Sequence, residues 1–312
     1  MNNLNYLRGS MVAIVTPFNE SGNVDFEAYA KLVKMHLENG TNGIVVAGTT
    51  GESAALSEEE YAALIRFTVQ KVNGEIPVIV GSGSNVTAKA IRHSLVAKRE
   101  GADGLLIINP YYNKPTEEGI FQHYKAIAEN VDLPIILYNV PGRTGSNMKA
   151  SLTLRLAHEI KNVIAIKEAS GDLNQVMEII ASRPAGFKVF SGDDALTLSI
   201  IAAGGDGCIS VVANQVPADF SRLVNAAIEG DMVTARTIHY RLFNLMNLNF
   251  IESNPIPVKT SLYLMGYIKN IFRSPMVPMT NTRNTALLKA ELETLGLIES
   301  KKQSPVLAEN IL

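Results

Sequence analysis

Residues 101–108 read GADGLLII, a glycine-rich joint that leads directly into an apolar run. Similar joints occur at residues 40–43 (GTNG) and 204–207 (GGDG), and each is also followed by an apolar run. Glycine ends helices readily because it adopts the left-handed backbone conformation without steric cost. The repeated joint therefore predicts helices that stop just before buried strands.

Apolar runs of strand length alternate with amphipathic helical segments along most of the chain. The eight runs cover residues 11–15, 43–47, 77–80, 104–108, 135–138, 163–167, 187–190 and 208–212. The second helix has a full start signal, with Ser57 as N-cap and Glu60 three residues later. Eight such units match an α/β fold of the closed (β/α)₈ barrel (TIM barrel) type, which typically needs ~250 residues. An open doubly wound sheet is the alternative.

Strand-like runs disappear after residue 216, and helical patterns replace them. These patterns cover residues 218–229, 231–248, 258–268 and 284–295. We therefore predict a catalytic barrel over residues 1–215, a C-terminal helical region over residues 216–298 and a tail over residues 299–312.

The composition argues against binding to polymers or membranes. The 312 residues are 46% hydrophobic and 19% charged, with a net charge of −2 and no tryptophan. Without a basic block there is no electrostatic footprint for nucleic acid or an anionic membrane. No apolar run approaches the ~18 residues of a membrane span, and the N-terminus lacks a signal-peptide pattern. We expect a cytoplasmic protein, with the single Cys208 as a small buried hydrophobe.

In a barrel of this type the active site lies in the loops that follow the strands. Those loops read GTTGES (48–53), NPYYNKP (109–115), YNVPGRTG (138–145), SGDDA (191–195) and SVVAN (210–214). They carry hydroxyl groups, one arginine and glycines, whereas all five histidines lie on predicted helices. No HExxH motif or Cys/His cluster occurs, so we predict no metal and no cofactor. Asp193 and Asp194 are interpreted as dipole partners of the next helix.

The run at residues 162–172, NVIAIKEASGD, contains a lysine directly after four apolar residues. A lysine that reaches solvent or pairs with Glu168 is the simple interpretation. However, one lysine among hydroxyl groups also suits Schiff-base chemistry, in which an amine attacks a carbonyl and the iminium activates the neighbouring carbon. The amine must first lose its proton, which an apolar surrounding favours. On this hypothesis Lys167 is the nucleophile, Tyr138 shuttles protons and Thr50 relays them.

Arg143, five residues after Tyr138, offers a planar fork for a carboxylate. A surface arginine in an ion pair is the simpler interpretation of this residue.

The motifs GTTGES, PYYNKP, YNVPGRTG, IKEASGD, SGDDA and GCISVVAN stand in the order and spacing of a known family. Over residues 11–268 the chain resembles the dihydrodipicolinate synthase family of pyruvate-dependent class I aldolases. The resemblance implies a barrel with C-terminal helices, assembled as a homotetramer of two tight dimers. Pyruvate would bind Lys167 as an imine, and its enamine would attack L-aspartate 4-semialdehyde. The product would be 4-hydroxy-tetrahydrodipicolinate, in bacterial lysine and diaminopimelate synthesis.

The same resemblance assigns roles to individual residues. Thr50, Tyr138 and Tyr112 would form a proton relay, with Tyr112 contributed across the tight dimer interface. Thr49 and Ile209 would contact pyruvate through backbone groups, and Gly192 would line the pocket. Arg143 would bind the carboxylate of the semialdehyde. Gly142 stands where many relatives have serine, a change that we expect to be harmless.

Lysine-inhibited members of the family bind lysine in a cleft at the dimer interface. The matching positions here are Ser53, Ala54, Glu58, Tyr61, Asn85, Lys89 and Tyr111. Lysine-sensitive relatives commonly carry glutamate at position 89, and Lys89 reverses that charge. Because like charges repel, we predict that inhibition by lysine is weak or absent.

Three alternatives remain open from the sequence. Within the class, the chain could be an N-acetylneuraminate lyase or a 2-keto-3-deoxy-sugar acid aldolase, which keep the lysine and tyrosine but usually lack the context of Arg143. From another class, it could be a catalytically silent barrel that acts as a ligand sensor or interaction protein.

Overall fold

The computed structural model describes residues 7–299. Its eight parallel strands form a closed barrel in chain order. The strands are β1 (Gly9–Ala13), β2 (Gly43–Val46), β3 (Val78–Gly81), β4 (Gly104–Ile108), β5 (Ile135–Asn139), β6 (Val163–Glu168), β7 (Lys188–Ser191) and β8 (Gly207–Ser210). Each predicted run matches one strand within two residues at either end. The (β/α)₈ prediction is confirmed, and the open-sheet alternative is wrong because β8 pairs with β1.

Helices follow the strands and surround the barrel, and the last three helices follow one another after the eighth strand and its helix. They are α1 (Phe26–Glu38), α2 (Glu58–Val72), α3 (Thr87–Arg99), α4 (Glu117–Asn130), α5 (Pro141–Thr144), α6 (Ala150–Glu159), α7 (Leu173–Ser182), α8 (Thr197–Ala202), α9 (Pro217–Glu229), α10 (Met232–Leu248), α11 (Ile256–Leu264) and α12 (Thr282–Thr294). Helix α2 begins with the predicted capping box between Ser57 and Glu60. No helix within residues 7–299 is both long enough and apolar enough to cross a membrane.

The seam that closes the barrel depends on a glycine pair. Gly9 and Gly207 are register partners on β1 and β8. A Cβ on Gly207 would lie 2.0 Å from the carbonyl oxygen of Gly9, and the φ of Gly207 is +149°. Only glycine tolerates both conditions. The last residue of the GGDG joint is therefore required for closure, whereas its first residue, Gly204 (φ +106°), follows the end of the preceding helix.

Two apolar layers stabilise the fold. Alternate strand residues point into the barrel, where Met11, Val45, Ile79, Leu106 and Phe190 pack together. The opposite faces of the strands pack against the surrounding helices in a second, larger core. The interior of the barrel is thus filled, and ligands can enter only at its ends.

Helix α9 is the next α-helix after β8 and packs against β1, α8 and α10. It therefore occupies the position of the eighth barrel helix. The division at residues 215 and 216 stays a prediction, and residues 300–312 of the predicted tail lie outside the described residues. Helix α11 ends earlier than the predicted residue 268. Gly266 (φ +81°) ends it, with bonds from the amides of Gly266 and Tyr267 to the carbonyls of Tyr263 and Leu262.

Candidate active site

A cavity of about 570 Å³ opens among the loops that follow the strands. Lys167 near the end of β6 and Tyr138 near the end of β5 both line this cavity, and they are register partners in the barrel. Thr50, Arg143 and Gly192 line it as well. Five residues predicted from four separate segments of the chain are therefore brought together at one edge of the barrel.

The Lys167 side chain is enclosed but not neutralised by a carboxylate. It is 5% exposed, and its Nζ lies 4.6 Å from the centroid of the Tyr138 ring. Within residues 7–299 its amine makes no hydrogen bond or ion pair. The alternative in which Lys167 pairs with Glu168 or reaches bulk solvent is therefore wrong. The amine faces the cavity at the site where a carbonyl compound could reach it.

Glu168 points to the other face of β6, because successive side chains of a strand alternate. Its carboxylate accepts hydrogen bonds from the side chains of Asn139 (3.0 Å) and Gln175 (2.9 Å) and from the Ser170 amide (2.7 Å). Burial raises the pKa of this carboxyl above its usual range. The network connects the ends of β5 and β6 to helix α7 and so holds the base of the Lys167 side chain.

Gly192, in the loop after β7, leaves space for the lysine. A Cβ at this position would lie 2.7 Å from the Cβ of Ala169 and 3.0 Å from the Cε of Lys167. The Gly192 amide also donates to the Glu168 carbonyl over 2.7 Å. A side chain at this position would force Ala169 or Lys167 to shift.

Thr50 lies in the GTTGES loop after β2 and is buried. Its Oγ1 accepts a hydrogen bond of 3.0 Å from the side-chain amide of Asn254. Thr49 is half-buried and lines the cavity beside it. Among the residues that the structure describes, no hydrogen bond joins the Thr50 and Tyr138 hydroxyls. The proton relay therefore stays a prediction.

An ion pair from the C-terminal region fixes the GTTGES loop. Glu52, with φ +51°, pairs with Lys259, which is 0% exposed. The Lys259 Nζ also lies 4.4 Å and 4.6 Å from the ring centroids of Phe18 and Phe272. The Arg273 amide donates to Glu52 as well, over 3.2 Å. Sequence reasoning missed this network, and a lysine in the apolar stretch of α11 was its only local signal.

Arg143 reaches the cavity from α5 and touches the same C-terminal segment. Its guanidinium donates to the Asn254 carbonyl over 3.4 Å. No carboxylate within the described part of the chain forms an ion pair with it, so the simpler interpretation as a surface ion pair is wrong. The guanidinium is free to bind an incoming carboxylate.

Two predicted site residues lie apart from the others. Tyr112 is 90% exposed, adopts φ +71° and does not line the cavity. Ile209 is buried in β8, and its side chain packs in the barrel interior with Met11. The expected backbone contact of Ile209 and the expected contribution of Tyr112 from a second chain stay predictions.

The predicted effector positions mostly line the same cavity. Those that do are Ser53, Ala54, Glu58, Tyr61, Lys89 and Tyr111. Asn85 does not, and its carbonyl accepts from Asn113 over 2.9 Å. Glu58 lies 3.0 Å from His93, and that hydrogen bond lowers the pKa of the Glu58 carboxyl. The role of the predicted effector positions in regulation stays a prediction.

Other titratable groups have structural positions. All five histidines lie on helices, as predicted. Burial lowers the pKa of His36 to about 3 and that of His123 to about 4, so both are neutral near pH 7. Cys208 is buried as predicted, and burial raises the pKa of its thiol well above the usual value. Within residues 7–299, no three His, Cys, Asp or Glu side chains group in a way that could hold a metal ion.

Asp194 differs from its interpretation as a helix-dipole partner. Its buried carboxylate accepts from the amides of Val211 (3.1 Å) and Val212 (2.8 Å) in the loop after β8. Burial raises the pKa of this carboxyl. The residue thus ties the loops after β7 and β8 together at the edge of the cavity.

The fold and the site together define a (β/α)₈ barrel with a buried lysine amine at the active-site edge, the arrangement of a class I aldolase. The model of the dihydrodipicolinate synthetase family matches residues 6–295. The chain belongs to this family.

The sequences of individual relatives align with this chain over almost its whole length. The 4-hydroxy-tetrahydrodipicolinate synthase of Prosthecochloris aestuarii is 49% identical over 292 residues, which cover 94% of this chain and 98% of the relative. The chloride-inhibited dihydrodipicolinate synthase of Acinetobacter baumannii, solved with pyruvate, is 45% identical with a TM-score of 0.91, covering 94% and 100% of the two chains. The lysine-bound enzyme of Cyanidioschyzon merolae is 39% identical, also with a TM-score of 0.91, covering 94% and 99%.

Proposed function

We propose that this chain is a 4-hydroxy-tetrahydrodipicolinate synthase, which condenses pyruvate with L-aspartate 4-semialdehyde in lysine and diaminopimelate biosynthesis. The observation that carries this proposal is the Lys167 amine, enclosed in the cavity without a carboxylate partner. The curated relative at 49% identity and the pyruvate complex of a structural neighbour support it. We expect this biosynthetic role to be carried out in the cytoplasm.

The proposed reaction begins when the neutral Lys167 amine attacks the keto carbon of pyruvate. Loss of water gives an iminium ion, which withdraws electrons so that the methyl group can lose a proton. The resulting enamine carbon forms a bond with the aldehyde carbon of the semialdehyde, whose oxygen takes up a proton to become the hydroxyl group of the product. This step restores the iminium ion on Lys167. The amino group of that substrate then displaces Lys167 from the imine carbon, which closes the ring and regenerates the free amine.

Each addition and elimination needs a proton donor or acceptor close to the reacting atoms. The Tyr138 ring borders the Lys167 amine at 4.6 Å, and we assign Tyr138 this role with Thr50 as relay. Thr49 and Ile209 would bind pyruvate through backbone groups, beside Gly192.

Tyr112 would complete the relay from a second copy of the chain. The Tyr112 side chain is exposed, and its backbone adopts a left-handed φ that is rare for a bulky residue. Both features support a contact between Tyr112 and another chain. We propose the tight dimer, and the homotetramer built from two such dimers, on this basis together with the family membership.

A coupled assay tests the proposed activity. Pyruvate and L-aspartate 4-semialdehyde are supplied together, and a dihydrodipicolinate reductase reports the product. We expect NADPH oxidation that requires both substrates. Turnover of N-acetylneuraminate or of a 2-keto-3-deoxy-sugar acid, without this condensation, would instead favour one of the alternative aldolases. No turnover of any of them would favour a silent barrel.

Arg143→Ala should separate binding of the two substrates. Loss of charged hydrogen bonds to the semialdehyde carboxylate should lower kcat/KM for that substrate by about 10- to 100-fold. Borohydride should still trap pyruvate on the variant, because Arg143 is not needed for the imine. Steady-state kinetics with each substrate varied in turn would measure the effect.

Arg143→Lys keeps the charge but loses the planar fork, so its kcat/KM should fall between wild type and Arg143→Ala. The matched control is Arg236→Ala, an exposed arginine on α10, which should leave both substrates unaffected. An equal effect of Arg143→Ala on pyruvate trapping would contradict the assignment.

Millimolar L-lysine should have little effect on the rate of this enzyme. Lys89 lines the cavity at the position where a glutamate would pair with the ammonium of the effector, and like charges repel. The lysine complex of a relative at 39% identity makes lysine the effector to test. Initial rates with increasing lysine measure the response, and halving of the rate at millimolar lysine would overturn the prediction. Lys89→Glu should respond to lysine more strongly than wild type.

A further inference from the structure

Asn254 connects two parts of the site from the segment between α10 and α11. The residue is 4% exposed and lines the cavity together with Lys167. Its side-chain amide donates to the Thr50 Oγ1 over 3.0 Å, and its backbone carbonyl accepts from Arg143 over 3.4 Å. One residue of the C-terminal region thus contacts both the predicted relay and the predicted carboxylate-binding group.

The bond from Asn254 limits what the Thr50 hydroxyl can do. A hydroxyl has one proton to donate and lone pairs that accept, whereas an amide NH₂ group only donates. Because a fixed N–H group occupies one lone pair of Oγ1, the Thr50 proton cannot point at that nitrogen. It must point to another acceptor. A donor on the oxygen also stabilises the negative charge that forms when the hydroxyl gives up its proton.

The other half of the amide gives no stabilising contact. Asn254 Oδ1 is buried and has no hydrogen-bond partner among residues 7–299. A buried acceptor without a partner costs free energy, and an apolar side chain of similar size would avoid that cost. The Oδ1 half of the amide is therefore not explained by stability. The hydrogen bond from the NH₂ group to Thr50 gives a reason for an amide at this buried position.

We propose that Asn254 is a positioning residue of the reaction: its amide directs the Thr50 hydroxyl so that Thr50 donates its proton into the cavity. The inference rests on the proposed function, because it assigns a direction to the relay of that reaction. Asn254 and Thr50 are separated by 204 residues in the chain, so no local motif indicates the contact between them.

Two variants of nearly equal size test this inference. Asn254→Asp replaces the donor by an acceptor, which would draw the Thr50 proton away from the cavity. Asn254→Leu removes the hydrogen bond altogether. For both, we expect kcat to fall about 10-fold or more, as for the partial loss of acid–base catalysis, with KM for pyruvate nearly unchanged. The solvent deuterium isotope effect on kcat should rise because proton transfer becomes slower. The Tm of Asn254→Leu should not fall far enough to account for its loss of kcat, because the unpartnered Oδ1 is removed together with the bond to Thr50.

The matched control is Asn247→Asp, the same change on the exposed face of α10, which should leave kcat and the isotope effect unchanged. If Asn254→Asp keeps the kcat and isotope effect of wild type, Asn254 does not direct the relay. If both Asn254 variants lose activity only in proportion to a lower Tm, the role is structural and the inference is also wrong. Wild-type protein that forms no borohydride adduct with pyruvate would refute the proposed function itself, which is a separate result.

Discussion

Lys167→Ala is expected to abolish the borohydride-dependent attachment of pyruvate and to lower turnover by more than about 100-fold, as for loss of a covalent nucleophile. Wild type should gain one pyruvate adduct per chain, at Lys167. The physical reason is that no other described lysine lines the deep part of the cavity beside Tyr138. Intact-mass spectrometry after reduction counts the adducts, and peptide mapping locates them.

A matched variant separates this effect from a general loss of charge. Lys161→Ala removes an exposed lysine just before β6 and should keep both the adduct and the turnover of wild type. Circular dichroism of Lys167→Ala should match wild type, because the amine makes no hydrogen bond within residues 7–299. An adduct that still forms on Lys167→Ala, or one found at Lys89, would refute the assignment of the nucleophile.

Lys259→Met should destabilise the protein by about 3–5 kcal/mol, because removal of one partner leaves a buried charge uncompensated. The charge left behind is the carboxylate of Glu52, in the loop that carries Thr50. Methionine has similar length and no charge, so a large cavity should not form. Urea unfolding at fixed protein concentration measures the free energy of unfolding. Turnover should fall as well, because the GTTGES loop loses its attachment to α11.

Two further variants isolate the electrostatic part of this effect. The double variant Glu52→Gln/Lys259→Met should be more stable than Lys259→Met alone, because the uncompensated carboxylate is gone. Lys31→Met breaks an exposed pair with Glu27 and should leave the free energy of unfolding close to that of wild type. A Lys259→Met variant that is as stable as Lys31→Met would show that the buried pair does not hold the loop.

Much of the active-site edge could be predicted from local sequence. Lys167 follows a buried apolar run, so a strand end was predictable, and parallel strands in a barrel must all end at the same edge. Tyr138 lies near the end of another strand of the same pattern, and Gly192 and Thr50 follow two more. Their meeting in one cavity is therefore a consequence of the eight-fold repeat.

The partners of these residues could not be predicted in the same way. Asn254 and Lys259 contact Thr50 and Glu52 across 204 and 207 positions of the chain. Neither belongs to a repeated unit, and periodicity gives no information about which helix surface meets which loop. The same holds for Glu60, which was predictable as part of a capping box but also pairs with Arg273.

By itself, the amino-acid sequence determined the eight βα units, the edge at which the strands end and the lysine that stands there. Short-range physical rules suffice for these features, since burial, strand period and glycine stops act over a few residues. Only the tertiary structure decided that Lys167 has no carboxylate partner, that Gly192 leaves space for it and that the C-terminal region holds the GTTGES loop. These features depend on distances between groups far apart in the chain, which are fixed only when the barrel closes and the C-terminal helices pack against it.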